Sequence, residues 1–369
     1  MTDFFFYGTL RHAPLLDRVL GRQVDRTPAR LDGFAVSWAE GQPFPMIEQR
    51  PGAVAEGILV HGLTDADVAR LDFYEGCFDY STTEVVVQGG ACARVYMPAL
   101  GVWSPGAPFV LADWVARFGP VVVATAGDFM AQAGQRPARD VLRRYGLMLV
   151  RGASRVRAAL GLPETQRRTA RPADIDVIAR RDPYAYFFSV EEYDLRHTRF
   201  DGTMSDVMTR AVFVSGDAAT VLPYDPVRDV VMLIEQFRVG PFARGDVNPW
   251  LLEPIAGRVD ANETPEACAR REAVEEAGIA LRDLLPIANY YPSPGAKAEF
   301  MYAFLGLADL PETAAGLGGL AEEAEDIRSH IVPFARLMEL VASGEASNGP
   351  LILSAYWLAA NRDRLRAHG

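Results

Sequence analysis

Residues 257–279 read GRVDANETPEACARREAVEEAGI, from Gly257 to Ile279, and the rest of the chain is best understood outward from them. Thr264 is a capping residue, Pro265 suits a first turn and Gly278 suits a stop, so the spacing predicts a helix over about Thr264 to Ala277. On that helix Glu272, Glu275 and Glu276 stand at i, i+3 and i+4 and share one face. Like charges so placed repel and weaken an isolated helix. The repulsion disappears when divalent cations sit among the carboxylates. Hard cations such as Mg²⁺ take oxygen ligands and bind through a few carboxylates together with substrate phosphates. The plainer alternative is a solvated acidic face, the usual meaning of a charge run.

Gly257, Glu263, Arg271, Glu272, Glu275, Glu276 and Gly278, with Ala273 and Ile279 in apolar slots, fit G-x5-E-x7-R-E-U-x-E-E-x-G-U, where U is apolar. A merely solvated face would have to match Gly257, Glu263, Arg271 and Gly278 by accident. The segment resembles the Nudix box, the signature of enzymes that hydrolyse a nucleoside diphosphate linked to another group. IEQFR (Ile234 to Arg238), WLLEPIAG (Trp250 to Gly257), Pro294 within SPGAKAE and AEEAEDIRSHIVP (Ala321 to Pro333) narrow the resemblance to the ADP-ribose pyrophosphatase branch, over about residues 175–369. Pro254 departs from the branch's usual LE-x-x-AG segment.

That resemblance implies a set of roles. Glu272 and Glu276 are metal ligands, joined by the carbonyl of Ala256 and, from a distant acidic loop, by Glu325. Glu275 supports the metals or their waters. Glu323 is the base that takes a proton from the attacking water. Glu263 and Arg271 brace the segment through a salt bridge. Arg210 and Arg238 hold diphosphate or adenosine, since guanidinium forks match phosphate oxygens and stack on bases. Glu299 hydrogen-bonds the substrate or orients a partner. The expected cofactor is Mg²⁺, or Mn²⁺ in its place, and a homodimer through this domain is expected. For the acidic loop the alternative is a solvated tip.

The first hundred residues read differently. Short strand-like runs separated by Gly and Pro turns predict a small, mostly β domain, a compact barrel in outline, with one clear helix from Thr64 to Phe73 started by the acidic TDAD. YGTL (Tyr7 to Leu10), the Pro45-Met46 region, EGILV and LDFYEG (Leu71 to Gly76) resemble the gamma-glutamylcyclotransferase-like family over about residues 3–100. The resemblance implies that Tyr7, Gly8, Thr9 and Leu10 offer backbone amides to a substrate carboxylate and that Glu75 is the general acid/base. Gly8 lets the backbone approach an anion closely. Small-molecule binding without turnover and a scaffold role are the alternatives, because function lives in sites and not folds.

From Leu111 to about Leu160 apolar residues recur at three- and four-residue steps, which predicts helices. Arg136, Arg139, Arg143, Arg144, Arg151, Arg155 and Arg157 make this the most basic part of the chain, either a solvated face or an anion surface. Residues 161–174 read as an exposed linker. The expected organisation is an α/β multidomain chain: a barrel-like domain at 1–108, a helical connector at 109–174 and a Nudix α/β/α sandwich at 175–369. Two or more domains suit 369 residues.

The net charge of −11 argues against a nucleic-acid surface as the main business. No uncharged apolar stretch approaches a membrane span, and Asp3 interrupts any leader-like start. Cys77, Cys92 and Cys268 are odd in number and widely spaced, which suits reduced thiols and a cytoplasmic setting. The leading expectation is Mg²⁺-dependent hydrolysis of ADP-ribose to AMP and ribose 5-phosphate. A nucleotide sugar or related dinucleotide is the alternative substrate, and a non-catalytic sensing module is the alternative of another class. The pairing of the two domains resembles fusion proteins associated with tellurite resistance in bacteria.

Overall fold

Strand β1 (Thr2–Phe6) alternates in the manner of a strand buried on both sides. Phe4 and Phe6 face one apolar cluster, Phe5 and Tyr7 another. The computed structural model describes residues 1–76, 80–320 and 325–367. The chain divides into two units, Met1–Arg167 and Arg168–Gly369.

In the first unit β1 is followed by α1 (Ala13–Leu20), β2 (Thr27–Ala39), β3 (Pro45–Leu63), α2 (Asp65–Glu75), β4 (Tyr80–Val86), β5 (Cys92–Pro98) and β6 (Pro105–Pro108). The strands form one six-stranded sheet in the order β4-β5-β1-β3-β2-β6. It has two edges, so the barrel-like domain expected is an open, partly curled half-barrel. Thr64 caps α2 in a reciprocal pair with Asp67, as the TDAD run predicts. Helix α1 was not anticipated. Its eight residues are too few for a clear period, yet Leu15, Leu16, Val19 and Leu20 are all buried.

Helices α3 (Leu111–Arg117), α4 (Gly119–Met130), α5 (Ala138–Leu142) and α6 (Tyr145–Ala158) complete this unit. They are part of its core, not a spacer beside it. Trp114, Phe129, Val141 and Met148 share a buried cluster with Phe4, Leu16 and Leu71. Part of the basic run is likewise internal: Arg151 is 3% exposed and lies near Asp128, which accepts from Arg155 at 2.7 Å.

The second unit opens with a three-stranded antiparallel sheet, β7 (Ile175–Ala185), β8 (Ser189–His197) and β9 (Met208–Val214). Then come β10 (Ala218–Asp225), β11 (Val230–Phe237), α7 (Val239–Arg244), β12 (Trp250–Glu253), β13 (Ile255–Arg258), α8 (Pro265–Ala277), β14 (Asp283–Tyr290), β15 (Met301–Leu307), β16 (Leu317–Gly318), β17 (Ile327–Pro333), α9 (Phe334–Ser343) and α10 (Gly349–Arg366). Among the described residues the larger sheet runs β14-β15-β10-β11-β17-β16, with β12 on β11 and β13 on β10.

Alternation along β10 and β11 decides what each face meets. Val221, Met232 and Ile234 pack with Cys268, Ala269 and Ala273 of α8. Leu222, Tyr224, Val231 and Leu233 pack with Leu337, Leu351, Ala355 and Leu358 of α9 and α10. No helix among the described residues is long and apolar enough to cross a membrane.

Candidate active site

Helix α8 begins and ends where its sequence requires. The Thr264 hydroxyl accepts from the Ala267 N–H at 3.2 Å, and Gly278 closes the helix at φ 65°, a left-handed conformation that favours glycine. Its acidic face lies against β13. A Cβ on Gly257 would sit 1.7 Å from Glu272 Oε1, so only glycine lets the carboxylate lie over the strand. One residue earlier, the Ala256 N–H donates to Glu276 Oε2 at 3.2 Å.

Arg271 is the brace. Its Nε and Nη2 donate to the two oxygens of Glu263, each at 3.0 Å, and Nη1 donates to Glu272 Oε1 at 2.7 Å and Glu275 Oε2 at 2.8 Å. The guanidinium also reaches the Arg258 carbonyl at 3.3 Å. One arginine thus ties the loop, the strand and the acidic face together with charge-assisted bonds.

Glu276 is 2% exposed. Burial, with repulsion from Glu272 and Glu325, pushes its carboxyl up to about 8. Burial likewise pushes Glu272 up to about 7; Arg271 opposes the rise, and Glu275 and Glu325 add to it. Glu325, in the loop before β17, is thus near enough for its charge to act on both helix carboxylates. Its own Oε2 accepts from the Leu320 N–H at 3.1 Å. Gly318 permits this approach, since a Cβ there would lie 2.1 Å from the Glu276 carbonyl oxygen. Glu323 falls outside the described residues.

Among the described residues no group of three carboxylate, histidine or cysteine side chains stands ready as a metal site, and Glu272 accepts from Arg271. The donor set nevertheless fits a hard divalent cation. It offers carboxylate and carbonyl oxygens, and burial makes the charge of Glu272 and Glu276 costly, a cost that a cation relieves.

Arg238 follows β11 and stands close enough for its charge to favour ionised Glu276. Its Nε and Nη2 donate to Glu253 Oε2 at 2.8 and 2.7 Å. Glu253 also accepts from Asn348 at 2.8 Å. Sequence reasoning missed both partners; a glutamate in an apolar run and an asparagine far along the chain carry no local signal. Pro254 proves structurally apt: it sits between β12, which pairs with β11, and β13, which pairs with β10, where a ladder donor is dispensable.

The remaining expected residues make contacts of their own. Arg210 is exposed on β9 and donates to the Thr209 carbonyl at 2.9 Å; among the described residues nothing ties it to the box carboxylates. Glu299 accepts from Ser215 Oγ at 2.9 Å and from Lys297 Nζ at 2.8 Å. Pro294 belongs to the exposed turn after β14 that docks on Phe213 through Ala296 and Ala298. Phe187, unremarked in the sequence, stacks under the Arg258 guanidinium at 4.2 Å, beside Gly257.

The first unit holds a second constellation. β1 runs through Tyr7 and Gly8 into a single 3-10 turn, Thr9–Arg11, with Leu10 buried. A Cβ on Gly8 would lie 2.9 Å from Pro45 Cγ, so the loop passes tightly over the Pro45 region. Tyr80 donates to the Pro45 carbonyl at 3.1 Å, and Tyr96 donates to Asp72 at 2.7 Å. Glu75, the last residue of α2, lies among Tyr7, Tyr80 and Tyr96, whose ionisation its charge disfavours. Burial raises its carboxyl to about 7.

A loop-helix-loop that presses buried carboxylates onto a mixed sheet is the arrangement of a Nudix hydrolase, and this chain belongs to that family. The NUDIX domain model matches residues 214–353, and the model for gamma-glutamyl cyclotransferase, AIG2-like, matches residues 4–115. The chain is 40% identical to the ADP-ribose pyrophosphatase of Escherichia coli (strain K12) over 193 residues, 52% of this chain and 91% of that protein. It is 37% identical to the ADP-ribose pyrophosphatase of Haemophilus influenzae over 195 residues, 52% of this chain and 89% of that one. A GDP-mannose pyrophosphatase of Salmonella arizonae is 36% identical over 149 residues, 40% of this chain and 76% of that protein.

Proposed function

We propose that the second unit hydrolyses the diphosphate of ADP-ribose to AMP and ribose 5-phosphate with Mg²⁺, or Mn²⁺ in its place. What supports this reading is that Glu272 and Glu276 of α8 lie within the electrostatic reach of Glu325 from the distant loop, and Glu276 within that of Arg238. Those carboxylates and the Ala256 carbonyl would hold the ion. When bound, a divalent ion neutralises the diphosphate and polarises the phosphorus under attack. Glu323 takes the proton of the attacking water as its oxygen bonds to phosphorus. The bridging P–O bond then breaks, and the displaced phosphate keeps the electron pair. Arg238 holds a diphosphate oxygen, and Arg271 keeps Glu275 and the loop in place. Arg210 and Glu299 serve the outer part of the substrate.

A substrate panel with Mg²⁺ tests the choice. ADP-ribose is expected to have the highest kcat/KM; GDP-mannose or another sugar nucleotide far above it would overturn the assignment. The nucleotide-sugar reading is kept because of the GDP-mannose pyrophosphatase relative.

For the first unit we propose that Tyr7, Gly8, Thr9 and Leu10 bind the carboxylate of a small gamma-glutamyl compound and that Glu75 moves the proton. Glu75→Gln should abolish release of 5-oxoproline from such a compound. Intact release would remove that role. A cytoplasmic setting and a tellurite-stress context are proposed with it.

The second unit is also proposed to form a homodimer. Phe237, Phe242 and Trp250 are each about half exposed or more and pack together, with ring centroids 6.0 Å (Phe237–Phe242) and 5.5 Å (Phe237–Trp250) apart. An exposed apolar patch of this kind suits a partner surface.

A further inference from the structure

Asn348 caps α10. Its Oδ1 accepts the Leu351 N–H at 3.0 Å. That bond fixes which end of the amide is oxygen, because a helix N–H only donates. The Nδ2 end therefore points away from the helix, and it donates to Glu253 Oε1 at 2.8 Å.

Glu253 is 5% exposed. A buried carboxylate is tolerated when it is paired and its lone pairs are filled. Asn348 fills one oxygen, and Arg238 fills the other through Nε and Nη2 at 2.8 and 2.7 Å. The Arg238 side chain stays 40% exposed, and its charge acts on Glu276. A free arginine spreads over many rotamers, and each must be given up when substrate binds. Here one edge of the fork is already fixed by a buried acceptor, and the outer edge is left for a ligand.

We infer that Asn348 is a positioning residue: through Glu253 it aims the Arg238 guanidinium at a diphosphate bound beside Glu276. The inference rests on the proposal that Arg238 holds substrate. It makes the start of the C-terminal helix part of substrate recognition, although Asn348 itself touches no reacting atom. The same carboxylate ends β12, two residues before β13 begins to carry Ala256 and Gly257 to α8. Tension at Glu253 would thus be felt on both sides of the diphosphate.

Asn348→Asp separates the cap from the clamp. Aspartate caps a helix as well as asparagine does, but it replaces the amide donor with a second carboxylate facing Glu253. The double variant Glu253→Gln with Asn348→Asp restores one donor and one acceptor in the reverse sense. The amide introduced at position 253 then donates to the carboxylate at position 348, and its carbonyl accepts from Arg238.

The test measures ADP-ribose binding to the full chain by calorimetry in EDTA, where no turnover occurs, beside KM and kcat with Mg²⁺ and the melting midpoint. Asn348→Asp is expected to weaken binding and raise KM by roughly tenfold, the size usual for a lost outer partner, and to lower the midpoint because two buried carboxylates then face each other. The double variant should recover most of that loss. If Arg238→Ala binds as wild type does, the reading of the arginine falls. If Arg238→Ala binds weakly but Asn348→Asp binds normally, that reading stands and the positioning role is overturned. A defect that the double variant does not recover would mark Asn348 as structural and also overturn it. Should Asn348→Asp fail to fold, Asn348→Ser keeps the cap, withdraws the donor from Glu253 because its side chain is shorter, and is judged by the same binding outcomes.

Discussion

The Glu272 carboxylate fills the space that Gly257 leaves by having no side chain: a Cβ at Gly257 would lie 1.7 Å from Glu272 Oε1. Helix and strand are in register only while that position is glycine. Gly257→Ala should displace α8 or turn Glu272 away. We expect kcat/KM to fall by roughly a hundredfold, because a shift near 1 Å at a positioned group costs about that much. Steady-state kinetics check this. A variant with wild-type kinetics would mean that the contact does not set the site.

Glu276 is buried, and its negative charge is costly in the metal-free protein. Glu276→Gln keeps the shape, keeps an acceptor for the Ala256 N–H and removes the charge. Hydrolysis should drop by at least about a thousandfold, while the melting midpoint in EDTA stays level or rises. Activity near wild type would remove Glu276 from the proposed ligand set. A large fall in the midpoint would show that the carboxylate is needed for folding.

Burial raises the Glu75 carboxyl from 4.5 to about 7. Between those values the folded state holds a proton that the unfolded chain has lost, so stability falls as pH rises through this window. The contribution of Glu75 is complete below 4.5 and gone above about 7. Glu75→Gln removes the dependence. The melting advantage of the variant over wild type should therefore grow between about pH 5 and about pH 8. A constant difference across that range would show that Glu75 is ionised throughout.

Trp250 is 50% exposed and packs on Phe237, which also meets Phe242. If the second unit dimerises through this patch, Trp250→Glu places charge in a dry contact. Sedimentation should then show a shift from dimer to monomer at micromolar protein. A wild-type chain that sediments as a monomer would dismiss the dimer outright.

Several features were legible in the chain before any coordinates. The capped limits of α8 and the shared face of Glu272, Glu275 and Glu276 follow from spacing on a helix, where rise and rotation are known, while the pairing of Arg271 with Glu263 was implied by the family resemblance. The capped start of α2 was legible for the same local reason. Other features were not. Helix α1 is short, and only packing against the sheet makes it a helix. Helices α3 to α6 read as a connector because sequence shows an amphipathic stripe but not the surface it meets. Arg151 looked like a solvated cation until α4 brought Asp128 beside it.

By itself, then, the sequence determined the family, the two kinds of domain and the acidic face that defines the chemistry, because each is written in residues a few positions apart. The tertiary structure decided that the charge of Glu325 reaches Glu272 and Glu276, that Arg238 and Asn348 share Glu253, and that the charge of Glu75 reaches three tyrosines. Those relations join segments that meet only when strand register and helix packing place them together, and no local pattern encodes which distant side chain fills a given buried acceptor.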